Sequence, residues 1–277
     1  TLPASRNYEK NPILFYDTFM RNGNKIGYLV YNSFVSGIGD SDTDETYIRR
    51  LSELSNYFKS QDVNEFILDL RYNPGGKLKQ PVPLICTMLA PADKIGETMG
   101  YTVYNDKHPE KNGEYKFLTE HLYGGSNLDL SRVFVLVNKE FTASASEAVI
   151  NFLKPHTDLQ LIGTGTYGKN VASDKFVYET DPRYILHPIV CTLENSDRES
   201  EYATNGFPIR TGNLVSEKDS VNMYPFGEDD LLVARAIEII ENVTPAPEPE
   251  ARSAGSSQLH TIGNSLEKKI RPAAIIR

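Results

Sequence analysis

Three short segments of the 277-residue chain carry residue types that could open a carbonyl: DLRYNPGG (69–76), FTASASE (141–147) and GTGTYGKN (163–170). Ser144 stands between two small residues, Ala143 and Ala145, which leave room for a substrate chain. It also precedes a run with Ala145, Ala148, Val149, Phe152 and Leu153 on one side, the spacing of a helix. A serine at a helix N-terminus has two roles open to it. It is a good N-cap, or it is a nucleophile whose anionic intermediate meets the helix dipole and the next amide. Ser146 is the alternative hydroxyl. Lys169 lies 25 positions after Ser144, behind a glycine-rich turn. It reads as a surface lysine, a phosphate ligand or a desolvated base. The turn matches neither GxxxxGKS/T nor GxGxxG, the patterns of phosphate cradles. Burial disfavours an ammonium, so an enclosed lysine can offer the neutral amine that takes a proton from serine. Tyr167, Val171 and Ala145 are the apolar neighbours expected around it. No histidine with a recognisable Asp context accompanies Ser144, which favours lysine over a Ser-His-Asp arrangement. In the first segment, Pro74 fixes a turn and Gly75 and Gly76 can take positive φ. Without Cβ atoms their amides can face open space, as half of an oxyanion hole; read alone, the same residues are a plain turn.

These residues need elements to hold them. KIGYLVYNSF (25–34), NEFILDL (64–70), RVFVLVN (132–138), LQLIG (159–163) and RYILHPIVCTL (183–193) read as strands. The second and third are nearly continuous apolar runs, as expected for strands buried on both faces. Helices are expected over 41–60, where Asp42 and Glu45 resemble a capping box, over about 78–89, over 144–154 and over 228–243. Alternation of strand and helix across 64–163 predicts an α/β fold with βαβ crossovers and a largely parallel sheet. The chain divides into an N-terminal extension (1–24), polar and irregular, a core (25–243) with an irregular excursion or small subdomain at 91–130, and a linker and tail (244–277). The linker TPAPEPEARSAGSS has no means of packing.

Composition narrows the partners. A formal net charge of −8 argues against nucleic acid and against an electrostatic membrane binder. No apolar run approaches a membrane span. The five histidines show no metal-ligand spacing, so neither a metal nor another cofactor is expected. Cys86 and Cys191 sit in apolar runs and read as buried free thiols, with one disulfide left open. The chain starts at Thr1, which suggests a processed or truncated product.

Taken in order and spacing, the three segments resemble the tail-specific, or C-terminal processing, serine peptidases. In that family a DLRxNPGG-like turn supplies an oxyanion donor, a TASASE-like segment the nucleophile and a TxGKG-like segment the base. The resemblance implies Ser144 as nucleophile, Lys169 as general base, and Ala145 with Gly76 (Gly75 if the turn is set differently) as oxyanion donors. KIGYLVYNSF resembles the strand that opens the family's core, NGFPI (205–209) a Gly- and Pro-containing segment, and GEDDLLVARAIEII its closing helix, so the likeness spans roughly 11–243. It implies a spiral α/β core of the Clp-protease and crotonase type, a protein or peptide substrate cut near its C-terminal region, and export to the periplasm or cell envelope. The chain departs from the pattern in three places. The family commonly carries a PDZ domain before the core, and residues 1–24 are too few for one. Ser173 stands where the family often has an auxiliary Gln, and Pro155 where an Asp is common. A non-catalytic peptide-binding protein on the same fold and a small-molecule esterase or amidase are the rival readings.

Overall fold

A computed structural model of the chain describes residues 11–38, 43–217 and 225–242. Its elements run in chain order β1 (Ile13–Arg21), β2 (Asn24–Tyr31), α1 (Thr46–Ser60), β3 (Glu65–Asp69), α2 (Pro81–Leu89), β4 (Thr98–Tyr104), β5 (Gly113–Lys116), β6 (Arg132–Val137), α3 (Ala145–Leu153), β7 (Asp158–Gly163), β8 (Val171–Ser173), β9 (Phe176–Val177), β10 (Ile185–Leu186), β11 (Ile189–Asn195) and α4 (Leu231–Ile240). Five strands form a sheet in the order β1-β2-β3-β6-β7. β2, β3, β6 and β7 are mutually parallel and β1 is antiparallel to β2. The expected βαβ alternation is therefore present.

The apolar runs are continuous because both faces of this sheet are covered. Val133, Val135 and Val137 of β6 enter one core with residues of α1, α2 and α3. Their neighbours Phe134 and Leu136 enter a second core with Leu232, Val233, Ala236 and Ile237 of α4. Each fully buried side chain of this size contributes about 1.5–3 kcal/mol relative to exposure. A second, antiparallel sheet runs β5-β4-β11-β8, and β9 and β10 form a separate ribbon.

Four expectations are corrected. The region 1–24 is not irregular throughout: Ile13–Arg21 pairs along β2, and its alternation around Asp17 was masked by the polar residues before it. The excursion at 91–130 holds β4 and β5, which build the second sheet with β11. The run 183–193 splits at His187 and Pro188, because proline offers no N–H to a ladder. The first helix begins at Thr46 with Glu45 as N-cap; Asp42 lies outside the described residues. So does the stretch from 243 onward, and with it the linker and tail.

Candidate active site

The carboxyl ends of β3 and β6 meet at the DLRYNPGG turn, which a buried charge cluster fixes. Arg71 is 1% exposed. Its Nε donates to both oxygens of Asp69 at 3.0 Å, and its two terminal nitrogens reach Asp230 at 2.8 Å each. Glu217 adds a contact at 2.8 Å, and the Tyr28 hydroxyl donates to Asp69 at 2.9 Å. Burial opposes the guanidinium charge, yet the Asp69 and Asp230 carboxylates hold Arg71 well above its usual range. Asp230 also caps α4, accepting from the amides of Leu232 and Val233, so one guanidinium ties α4 to the turn. Past it, Asn73 is fully buried: its Nδ2 donates to the Tyr31 carbonyl at 2.8 Å, and its Oδ1 accepts the Gly75 amide at 2.9 Å. Gly75 has φ +98, and a Cβ there would lie 2.8 Å from Ser144 Cβ, the Ala143 carbonyl and the Ala145 nitrogen. Only glycine lets the two segments approach this closely.

β6 turns into α3 through Thr142 and Ser144. Thr142 Oγ1 donates to the Leu70 carbonyl at 2.8 Å and accepts the Asn138 amide at 2.9 Å, stitching the ends of β3 and β6 together. Ser144 is half-buried, stands directly before α3 and has φ 58, ψ −113. A non-glycine residue in such a conformation typically costs about 1–3 kcal/mol and is held only by its surroundings. The Asn73 carbonyl supplies part of that hold: it accepts the Ala143 amide at 3.2 Å and the Ser146 hydroxyl at 2.9 Å.

Glu147, fully buried at the third position of α3, joins this corner to the Lys169 loop. One of its oxygens accepts the amides of Ser144 at 3.0 Å and Lys169 at 2.8 Å. The other accepts the Thr166 hydroxyl and the Gly168 amide, both at 2.6 Å. The backbones of Ser144 and Lys169 thus meet on a single carboxylate oxygen, although they are 25 residues apart. The stretch 204–207, which runs into NGFPI, locks the loop from outside. Phe207 donates its amide to Thr166 Oγ1 at 2.8 Å, Thr204 donates to the Gly168 carbonyl at 2.9 Å, and Gly206 (φ 70) lies against the Thr166 carbonyl so closely that no Cβ would fit.

The structure brings together Gly75, Gly76, Ser144, Ala145 and the backbone of Lys169. Among the described residues, the amides of Gly76 and Ala145 have no acceptor, whereas that of Gly75 is engaged by Asn73. Ser146 is fully buried and its hydroxyl is engaged; Ser144 is the accessible one of the pair. The enclosure expected around Lys169 is not found. Lys169 and Tyr167 are exposed, and among the described residues nothing bonds or pairs with the Lys169 ammonium. Ser173 is exposed on β8 and makes no side-chain hydrogen bond to Lys169. Among the described residues no histidine is hydrogen-bonded to Ser144: His156 lies past the far end of α3, His108 pairs with Glu110, His121 lies between β5 and β6, and His187 is exposed at the end of the ribbon. Cys86 and Cys191 are free and buried, and burial pushes both thiols up. Among the described residues no group of three His, Cys, Asp or Glu could hold a metal, and no helix is long and apolar enough to cross a membrane. Sequence reasoning missed Glu147, Thr166 and Asn73. Glu147 was findable, since Ser-x-x-Glu ahead of an apolar run is a capping-box pattern; the other two carried no signal.

The three segments that carry Gly76, Ser144 and Lys169 lie within residues 25–191, the stretch matched by the sequence profile described as Peptidase family S41. A carboxyl-terminal-processing protease of Picosynechococcus sp. is 30% identical over 167 residues, covering 60% of this chain and 34% of that protein. The solved structure of a Bacteroides fragilis protein classed with the S41 proteases superposes with a TM-score of 0.80 at 39% identity, covering 88% of this chain and 61% of that one. A photosystem II D1 C-terminal processing protease shares the fold at 18% identity, with a TM-score of 0.53 over 76% of this chain and 50% of that chain. The chain therefore spans about a third of the curated relative and three-fifths of the first of these structures.

Proposed function

The chain belongs to peptidase family S41, and from that premise we propose that it cleaves peptide bonds through an acyl-enzyme on Ser144 with Lys169 as general base. Lys169, as the amine, takes the Ser144 hydroxyl proton while Oγ adds to the substrate carbonyl carbon. The carbonyl oxygen becomes an oxyanion that accepts the amides of Gly76 and Ala145. Collapse breaks the C–N bond, and the Lys169 ammonium returns its proton to the departing amine. Water, deprotonated by the same amine, then hydrolyses the ester.

The observation that carries this reading is the Glu147 carboxylate accepting the Ser144 and Lys169 amides on one oxygen. The acceptor-free amides support Gly76 over Gly75 as the second donor. Exposed Lys169 lacks the apolar cover a neutral amine needs. In this reading a substrate chain laid across the site supplies it by expelling water. The names of the relatives point to protein or peptide C-terminal regions as substrate.

The exposure of Lys169 is also what favours the rival, a non-catalytic peptide-binding protein. Labelling by a serine-directed fluorophosphonate separates the two. The proposal expects the native chain to be labelled at Ser144 and a Ser144→Ala variant to stay unlabelled. Absence of labelling together with absence of turnover on unstructured peptides favours the binding reading.

A further inference from the structure

Four residues beyond Lys169 the second sheet ends, and the chain runs out into the β9–β10 ribbon before returning along β11. Val177 pairs with Ile185 and Phe176 with Leu186, and the Tyr178 amide donates to the Tyr184 carbonyl at 3.0 Å. Cross-strand partners share a face of a ribbon and successive residues alternate. Phe176, Tyr178, Tyr184 and Leu186 therefore stand on one face. The other face has Val177 and Ile185, flanked by Lys175, Glu179, Arg183 and His187. From Ser173 to Ile189 every residue but Asp181 is exposed, and the four large side chains of the first face are 47%, 57%, 64% and 65% exposed. None of the four belongs to either hydrophobic core. A two-stranded ribbon is marginal on its own in water, and an amphipathic one with a bare apolar face marks an interaction surface.

We propose that this face is the interface with a second copy of the chain. The four side chains leave roughly 500 Å² exposed, from groups that bury about 150–250 Å² each when fully covered. Two such faces set together bury roughly 1,000 Å² in all, the lower end of a specific interface. The face is self-complementary: a two-fold axis through it sets the tyrosine pair of one copy against the Phe176–Leu186 pair of the other. Its four side chains carry no charge, and Asp174, the acidic residue beside them in the alternation, accepts the Tyr104 hydroxyl at 3.2 Å. Two copies of a chain with net charge −8 repel over most approaches, and an uncharged face removes that penalty at the contact.

The test is the mass in solution of the 277-residue chain by sedimentation velocity over a concentration series, about 1 to 100 μM, spanning the micromolar affinity typical of a modest interface. The expected result is a shift from one to two chains of 31.1 kDa. The double variant Tyr184→Asp, Leu186→Asp should stay single throughout, a loss of at least about a hundredfold in affinity. Its far-UV circular dichroism and Tm should be unchanged, because these side chains touch nothing in the core. Ile185→Thr, on the opposite face, should associate like the native chain. A native chain that stays single at the top of the series overturns the proposal. So does a double variant that still pairs. A single-chain native protein whose Tm drops in the double variant shows that another part of the same chain covers the face, and this too overturns it.

Discussion

Replacing Glu147 by Gln changes almost no volume and tests the bridge between Ser144 and Lys169 directly. Each native carboxylate oxygen accepts two donors. In glutamine one oxygen becomes an NH₂ group, which donates. Turned toward Ser144 and Lys169, it leaves two part-buried amides unpaired. Turned the other way, it faces the Gly168 amide and the Thr166 hydroxyl, and the hydroxyl can reverse while the amide cannot. At least one part-buried donor is thus orphaned, costing about 1–3 kcal/mol, and the remaining bonds weaken by roughly 1 kcal/mol each as they lose the charge. The expected loss is ~3–5 kcal/mol, against a typical total of about 5–15. The variant should fold but with a clear drop in its urea midpoint, read by far-UV circular dichroism because the chain lacks Trp. Where it is folded, the Lys169 loop is no longer held, and a displacement of order 1 Å costs about a hundredfold in rate. kcat and the fluorophosphonate labelling rate should fall by that order while KM moves little. A stability loss under about 1 kcal/mol with labelling within twofold of native would refute the reasoning, since a carboxylate accepting four bonds cannot be replaced silently.

Ser144→Ala should abolish hydrolysis and leave the fold intact. Ser146→Ala should keep substantial activity and lose about 1 kcal/mol, since the Asn73 carbonyl retains the Ala143 amide; the opposite phenotypes in a peptide assay would exchange the two roles. Lys169→Arg should be as inactive as Lys169→Ala because a guanidinium does not give up its proton, and native-like turnover by Lys169→Arg rules out Lys169 as the base. Gly75→Ala should be both destabilised and inactive, because a Cβ at φ +98 would lie 2.8 Å from Ser144 Cβ and two backbone atoms; an active, fully stable Gly75→Ala would show that the two segments can separate. Burial lowers the pKa of His156, and likewise of His121, although Glu97 and Glu120 oppose the shift. The unfolded chain then takes up protons first as pH falls. The contribution of these histidines is full above the ordinary value of about 6.5 and declines as pH drops below it. His156→Leu should flatten the fall in urea midpoint between about pH 7 and 5.5, and an unchanged slope would remove His156 as its source.

The sequence by itself determined the parallel sheet and its helices, because a strand buried on both faces must be apolar throughout and a helix on a sheet must be apolar at helical spacing. Val133–Val137 and the α4 stripe show this directly. It also picked out the three segments of the candidate site, since a turn at Asn73–Gly76, a serine before α3 and a lysine after a glycine-rich turn are local patterns with local causes. Only the tertiary structure decided which hydroxyl and which glycine amide are available. Ser146 and Gly75 are spoken for by Asn73, a partner about seventy residues from the first and two from the second, and no pattern in the chain announces which way a buried asparagine turns. It decided that Lys169 is exposed, because cover over a loop comes from whatever other elements happen to lie above it. It also decided the role of Glu147. As a letter in SASE it is a cap residue, and only the folding of the Lys169 loop back onto α3 makes the same carboxylate the junction between Ser144 and Lys169.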